Sequence, residues 1–389
     1  MYSEEDINSA VAAGALSAEA AASFRAHISR QRALPRSSEE DFKLLNSFND
    51  VFVAIGIVIL LVAVGAIGQA LANLFTAEPV RPDFITNATD QGLWDAYYAA
   101  RDLRDAWQMM MAGLFVGVAA WPLAEFFTRR RHMALPSILL LLAFVGGVFF
   151  TLFGLGAVLG ASGNSPAGAL AITISGLVAA GAAFIHWRRF KVPITVAAAA
   201  GVAVVSLLLA FLGVFQIEPE NPGFLLSVLA AGIAVFVAAM RWDISDLDRT
   251  TRRSDVAFWL HLLAAPLIAH PIFALIGVTQ GDNIQIGAAF AVLGVYIVFG
   301  LLALIIDRRA LLVSALAYVL FALTFLFREF GAVELNFALT ALVIGSALLS
   351  LSAFWLPIRR SVISALPETV RASLPVAHEN TDHGVPSAG

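Results

Sequence analysis

The sequence predicts an all-α fold, a polytopic bundle of transmembrane helices, and three observations predict it. Of the 389 residues, 59% are hydrophobic and only 13% are charged, whereas soluble domains carry about 25% charged residues. The mean hydropathy is +0.83. The apolar residues fall in continuous runs of about 20, the length that a helix needs to cross roughly 30 Å of hydrocarbon. Continuous runs of this length also argue against the alternating strands of a membrane barrel.

Ten such runs are separated by polar segments or by proline and glycine, so we expect about ten spans within a domain from residue 50 to 357. In chain order the predicted spans are 50–75, 107–127, 135–160, 166–187, 193–215, 222–240, 256–278, 284–306, 311–327 and 335–357.

The basic residues predict the orientation of the chain, because cytoplasmic loops carry an excess of Lys and Arg. Loops rich and poor in these residues alternate along the whole chain, and 20 of the 24 fall on one predicted side. Both termini are therefore predicted to be cytoplasmic. The first 49 residues are polar, so we expect no cleavable signal peptide and a first span that acts as an uncleaved insertion signal.

Three segments lie outside the predicted spans. Residues 1–49 form a predicted cytoplasmic helical hairpin and linker, in which Gly14 ends one short helix and Ser17 caps the next. The hairpin is either a solubilising leader or a docking module for a protein partner. Residues 76–106 form a predicted outer-face loop with an interfacial helix over 93–105. Residues 358–389 form a predicted disordered cytoplasmic tail.

Several classes of function are excluded or disfavoured. The net charge of −4, without a concentrated basic block, excludes a nucleic-acid binder. The chain has no cysteine, which excludes disulfides, thiolate metal sites and cysteine nucleophiles. No phosphate-binding glycine loop, zinc-protease, serine-hydrolase or kinase signature occurs. An enzyme is therefore not favoured, and no catalytic residue, cofactor or metal is predicted.

One polar run could still bind a ligand. The run 241–249, Arg-Trp-Asp-Ile-Ser-Asp-Leu-Asp-Arg, holds three closely spaced carboxylates, and hard oxygen ligands of this kind suit Mg²⁺ and a phosphorylated lipid head. Four arginines lie in or beside this run, at 241, 249, 252 and 253. A self-neutralising loop is therefore the favoured interpretation.

The seventh predicted span carries the strongest functional signal, because it holds His261 and His270 together with Pro266 and Pro271. Each proline removes a backbone donor, which predicts a broken helix. A buried histidine beside such a break suits proton transfer or solute binding. A simple kink, in which His270 bonds a freed carbonyl, explains the pattern equally well. The two rings lie nine residues apart, on opposite helix faces, so a shared metal site is not expected.

The third candidate residue is Glu125, near the end of the second predicted span. Arg129 follows four residues later, in the orientation that favours an ion pair on one helix. The alternative is a carboxylate that faces the bundle interior and binds a proton or cation.

Three stretches resemble an uncharacterised bacterial family of multi-pass membrane proteins with a short helical N-terminus, filed as a domain of unknown function. They are 14–17 (GALS), 44–52 (LLNSFNDVF) and 252–266 (RRSDVAFWLHLLAAP). The resemblance implies a bacterial inner (plasma) membrane protein and supplies no activity.

Together these features favour an inner-membrane protein that binds or transports a small solute or proton, with His270, His261 and Glu125 as substrate-binding candidates. The lipid bilayer is the one certain partner of such a protein. The competing hypothesis is a non-transporting scaffold or sensor that acts through its N-terminal hairpin.

Overall fold

The structure is a computed structural model that describes residues 4–14, 16–24, 48–83, 90–161, 165–247, 249, 251–277, 286–329, 336–371 and 374. These residues belong to two compact units, one before and one after residue 41. Every regular element among them is a helix, which confirms the all-α prediction.

The first unit contains two short helices, α1 (Glu4–Ala12) and α2 (18–24). Gly14 ends the turn after α1 with a φ of +72°, a left-handed conformation that glycine adopts without strain. The hydroxyl of Ser17 accepts a hydrogen bond from the Ala20 amide at 3.1 Å, as an N-cap does. The predicted stop and cap are thus both present.

The second unit is a bundle of long helices. In chain order its helices are α3 (Phe48–Ala72), α4 (Gln91–Ala124), a π-helical extension of α4 (Glu125–Arg130), α5 (Ala134–Val158), α6 (Pro166–Phe190), α7 (Ile194–Phe215), α8 (Pro222–Ile244), α9 (Arg252–Ile276), α10 (Ile286–Ile306), α11 (Ala310–Glu329), α12 (Asn336–Ala353), α13 (Trp355–Ser364) and α14 (Glu368–Arg371).

Eight helices of the described chain, α3 to α10, are long and apolar enough to cross a membrane, and they correspond to the first eight predicted spans. The last two predicted spans differ. Within α11 the apolar stretch Leu312–Phe327 is shorter than a full span. Helix α12 bends by 72° into α13, so this pair makes a ninth span only if it is counted as one. The multi-pass character is therefore shown, with eight candidate spans in the described chain, or nine if the bent pair is counted as one, and the prediction of ten stays a prediction.

Helix α4 is longer than the sequence predicts. The predicted interfacial helix over 93–105 is instead continuous with the second span, and the whole element starts at Asp90, whose carboxylate accepts from the Leu93 amide at 3.2 Å. At 1.5 Å per residue its 34 residues extend about 51 Å, well beyond a hydrocarbon core of about 30 Å. Helix α4 is therefore about 20 Å longer than a hydrocarbon core is thick.

Helix α13 occupies the start of the predicted disordered tail. Its side chains Trp355, Arg359 and Ile363 are buried against the bundle, and burial of this amphipathic face orders a segment whose composition is otherwise typical of a tail. The rest of the predicted tail beyond residue 374 lies outside the described residues.

Helices α4 and α5 pack backbone against backbone. A Cβ placed on Gly147 would lie 2.6 Å from the Gly117 nitrogen, and one on Gly154 would lie 2.6 Å from the Met110 nitrogen. Real Cβ atoms do not approach other atoms so closely, so these positions need glycine. Close approach through small residues drives helix association in membranes, where the hydrophobic effect between helices is absent.

Helix α9 runs without interruption from Arg252 to Ile276 and contains both prolines. The prediction of a helix broken by Pro266 and Pro271 is therefore wrong. Pro271 leaves the Leu267 carbonyl without its helical donor, and α8 passes this carbonyl at Gly232, where an added Cβ would lie 2.8 Å from the Leu267 oxygen. Tight packing of a neighbouring helix supports the backbone at this point, so the chain need not unwind.

Candidate functional site

A group of buried charges lies where α8 ends, α9 begins and residues 307–309 connect α10 to α11. Asp243, Ser254, His261 and Arg308 meet there, and we call them the Asp243 cluster. Asp243 and His261 are each 2% exposed and Arg308 is 3% exposed. Residues 241–244 form the last turn of α8 and not a loop, and this turn directs Asp243 into the interior.

Asp243 is held by a guanidinium and an imidazole at once. Arg308 donates from Nη2 to Oδ1 at 2.6 Å and from Nε to Oδ2 at 3.3 Å, a two-point contact that fixes both groups. Arg308 Nη2 also donates to the carbonyl and hydroxyl of Ser254 at 3.2 and 3.1 Å. His261 Nε2 lies 2.9 Å from Asp243 Oδ2. The carboxylate therefore connects α8 to α9 and to the α10–α11 connection.

The geometry also determines the tautomer of His261. An ionised carboxylate only accepts hydrogen bonds, so the nitrogen that faces Asp243 must carry the hydrogen. In the neutral ring Nδ1 is then an acceptor, and this buried atom has no hydrogen-bond partner within the described part of the chain. The Phe236 ring lies edge-on to the imidazole, with the centroids 5.2 Å apart. His261 is thus a buried base with one occupied and one open nitrogen.

A second group of charges adjoins the first along the chain. Asp307, Arg249, Trp355 and Arg359 form what we call the Asp307 cluster. Arg249 Nη1 lies 2.9 Å from Asp307 Oδ2, and Trp355 Nε1 donates to Asp307 Oδ1 at 2.8 Å. Arg359 is fully buried, donates to the Leu304 carbonyl at 3.1 Å and lies 3.6 Å from Asp307 Oδ1. This cluster secures α13 to the end of α10.

Two of the three carboxylates in the run 241–249 are used internally. Asp243 pairs with Arg308. Asp246 Oδ2 accepts from the amide and the hydroxyl of Thr251 at 3.0 and 2.6 Å and from the Ser254 amide in the first turn of α9 at 3.3 Å. The predicted neutralisation by the arginines of the run itself is not shown, because the guanidinium opposite Asp243 is that of Arg308 and Arg249 pairs with Asp307. Asp248 lies outside the described residues. Within the described ranges no group of three or more Asp, Glu or His side chains is placed to hold a metal ion.

The chain was compared with known proteins, and none matches. No family model, curated protein or solved structure is similar to it. The resemblance to an uncharacterised bacterial family therefore stays a prediction, and the geometry of the site carries the functional argument.

His270 lies in a different environment from His261. Its side chain is exposed on the outside of the bundle, and its Nδ1 lies 2.8 Å from the hydroxyl of Tyr318 on α11. Tyr318 in turn stacks on Phe273, with ring centroids 4.4 Å apart. His270 therefore links α9 to α11 at the periphery, and the two histidines do not meet.

Glu125 begins the π-helical turn that ends α4. It lies 3.4 Å from Arg129 on the same helix, the predicted ion pair, and 2.6 Å from Arg189 of α6. The Glu125 side chain is 30% exposed. The structure thus shows a partly solvated carboxylate between two guanidinium groups.

Arg308, Asp307 and Arg359 were not predicted as functional candidates, and Asp243 was considered only as one carboxylate of the run 241–249. Arg308 resembled an ordinary loop charge, and Arg359 lies in the predicted tail. The one signal that could have found them is the immediate proximity of these charges to apolar runs, since a charge next to a span either reaches water or is paired inside.

His186 of α6 allows a test of whether a buried polar side chain lowers the stability of this bundle. Its ring is fully buried among Trp121, Phe144 and Phe190, and neither nitrogen has a hydrogen-bond partner within the described residues. An unsatisfied buried polar group costs about 1–3 kcal/mol. We expect His186→Phe to raise the thermal midpoint of the purified protein in detergent, whereas His261→Phe, which removes a buried hydrogen bond, lowers it. Equal effects of the two substitutions would contradict this assignment.

Proposed function

We propose that this chain is a bacterial inner-membrane protein with ten spans and both termini in the cytoplasm, which binds or transports a small solute or protons. The proton-binding group in this proposal is His261. The observation that carries it is the open Nδ1 of a buried imidazole whose other nitrogen is held by Asp243.

The other two candidates suit this role less well. His270 lies on the exterior of the bundle beside Tyr318. Glu125 is neutralised by two guanidinium groups, so a cation would have to displace an arginine to bind there. His261 alone of the three combines burial, a carboxylate partner and an open acceptor.

Charge balance explains why protonation of His261 would change the state of the protein. The two clusters and Asp246 contain three buried carboxylates, of Asp243, Asp246 and Asp307, and three guanidinium groups, of Arg249, Arg308 and Arg359. These six charges balance when His261 is neutral, and the exposed Asp255 and Arg252 beside them add one charge of each sign. A proton on Nδ1 adds one positive charge beside Arg308, so Asp243 would have to serve two cations. Competition between Arg308 and protonated His261 for Asp243 would change how the helices pack. Coupling to a solute requires such a change between two packing states.

The test uses the purified protein in liposomes that contain a pH-sensitive dye, with an imposed proton gradient and membrane potential. We expect proton flux through the wild type and through His270→Gln. His261→Gln should lose the flux, because glutamine can still donate to Asp243 but has no ring nitrogen that can accept a proton. The thermal midpoint of each variant in detergent separates this loss from misfolding.

Wild-type flux in a correctly folded His261→Gln variant would contradict the proposal. A protein that carries no flux, but whose cellular phenotype disappears when residues 1–40 are deleted, would instead favour the scaffold or sensor hypothesis.

A further inference from the structure

A second feature of the bundle is an apolar groove between α4, α5 and α6, remote in sequence from the Asp243 cluster. Its volume is about 680 Å³, within the range of roughly 300–1,000 Å³ that is usual for ligand sites. The groove exists because Gly113, Gly117 and Gly147 bring two helices together without side chains between them. It is lined by Gly113, Leu114, Gly117, Val118, Trp121, Pro122, Phe144, Gly147, Val148, Thr151, Leu152 and Val178.

The lining is apolar along its length. The one hydroxyl in it, that of Thr151, is already donated to the Gly147 carbonyl at 2.6 Å. A solute with several polar groups would therefore lose its hydrogen bonds to water on entry and find no replacement. A hydrocarbon chain loses nothing in this way.

A charged group lies directly beyond one end of the groove. Trp121 lines that end, and Glu125 follows one helical turn later on the same face of α4, about 6 Å further along the axis. On α6, Val178 lines the groove and Arg189 lies eleven residues later, three turns on and again on the same face. The Glu125–Arg189 ion pair at 2.6 Å thus joins the same two helix faces just past the groove.

The charge at this position is positive. Glu125 supplies one negative charge, and Arg129 and Arg189 supply two positive charges. Their hydrogen bonds to Glu125 use one N–H of Arg129 and two of Arg189, out of five on each guanidinium. The arginine side chains are 53% and 40% exposed, so both can still donate to a phosphate.

We infer that this groove binds an anionic phospholipid, with one acyl chain between α4 and α6 and its phosphate on Arg129 and Arg189. Glu125 orients the two guanidinium groups and lowers their net charge. The site lies at the level where a span meets the headgroup layer, which is where arginine side chains contact lipid phosphates.

The experiment is native mass spectrometry of the full-length protein, delipidated in detergent and titrated with phosphatidylglycerol or phosphatidylcholine of identical acyl chains. Wild type should bind phosphatidylglycerol more tightly. Arg129→Gln and Arg189→Gln should each weaken that binding by about fivefold, the usual contribution of one basic residue near an anionic surface, and leave phosphatidylcholine unchanged. Glu125→Gln should strengthen it, because the arginines lose their competing anion.

Two matched controls separate the site from the general lipid coat. Arg101→Gln removes an arginine of similar exposure from another i, i+4 ion pair of α4, with Asp105, and should have no effect. Val118→Phe fills the groove and should weaken both lipids, whereas Val62→Phe, on α3 at the same exposure of about two-thirds, should not.

Equal binding of the two lipids by wild type would overturn the inference. So would an Arg101→Gln effect as large as that of Arg189→Gln, or a Val118→Phe effect no larger than that of Val62→Phe. None of these measurements depends on His261, so this inference and the proposed function can fail separately.

Discussion

Replacement of Asp243 by asparagine should destabilise the protein by about 3–5 kcal/mol, because Arg308 would remain buried without its counter-ion. The carboxylate is 2% exposed and its contacts to Arg308 and His261 hold three segments together. Asparagine preserves the shape of the side chain and removes the charge alone. Thermal unfolding in detergent, followed by tryptophan fluorescence, measures the effect.

Two further variants test whether the broken buried ion pair causes the loss of stability. Asp105→Asn removes a carboxylate that is 57% exposed and paired with Arg101, and exposed pairs contribute only about 0–1 kcal/mol. The double variant Asp243→Asn/Arg308→Met removes both buried charges and should recover a large part of the lost stability. The buried pair would not explain the loss of stability in two cases. One is that Asp243→Asn lowers the stability no more than Asp105→Asn does, and the other is that the double variant is the least stable of all.

The second large effect is expected at Gly147, where substitution by alanine should separate α4 from α5. The new Cβ would lie 2.6 Å from the Gly117 nitrogen and 2.7 Å from the Gly113 carbonyl oxygen. Both are backbone atoms, which cannot move aside as a flexible side chain can. Overpacking of this kind costs about 1–3 kcal/mol and sometimes more, so we expect a lower yield of monodisperse protein and a lower thermal midpoint.

Gly146 is the matched control, because it is adjacent in the same helix and a Cβ there would meet nothing within 4 Å. Gly146→Ala should be neutral or stabilising, since alanine favours a helix over glycine by about 1 kcal/mol. Size-exclusion chromatography and a thermal ramp of the two variants side by side provide the comparison. Similar behaviour of the two alanine variants would show that the helices are not in backbone contact at Gly147.

The local signals of the sequence predicted those elements that depend only on neighbouring residues. Gly14 and Ser17 predicted the turn and cap of the N-terminal unit, since each acts through its own backbone or through an amide three residues away. The ion pair of Glu125 with Arg129 was predictable for the same reason. Its stronger partner, Arg189, was not, because it lies 64 residues further along the chain.

Predictions that required knowledge of neighbouring helices were the ones that failed. The prolines of α9 indicated a break, but Gly232 of α8 packs on the Leu267 carbonyl and the helix continues. The composition after residue 357 indicated a disordered tail, but burial of Trp355 and Arg359 makes residues 355–364 a helix. In both cases tertiary packing outweighs the local preference of the chain.

The sequence by itself determined that this chain is a multi-pass helical protein, because each apolar run satisfies its own backbone hydrogen bonds within a single helix and needs no partner to be recognised. Only the tertiary structure decided which charges meet. Asp243 and Arg308 are 65 residues apart, and either would look like an ordinary charge at a span end. Their pairing depends on how α8, α9 and the α10–α11 connection pack, which no local pattern of the sequence encodes.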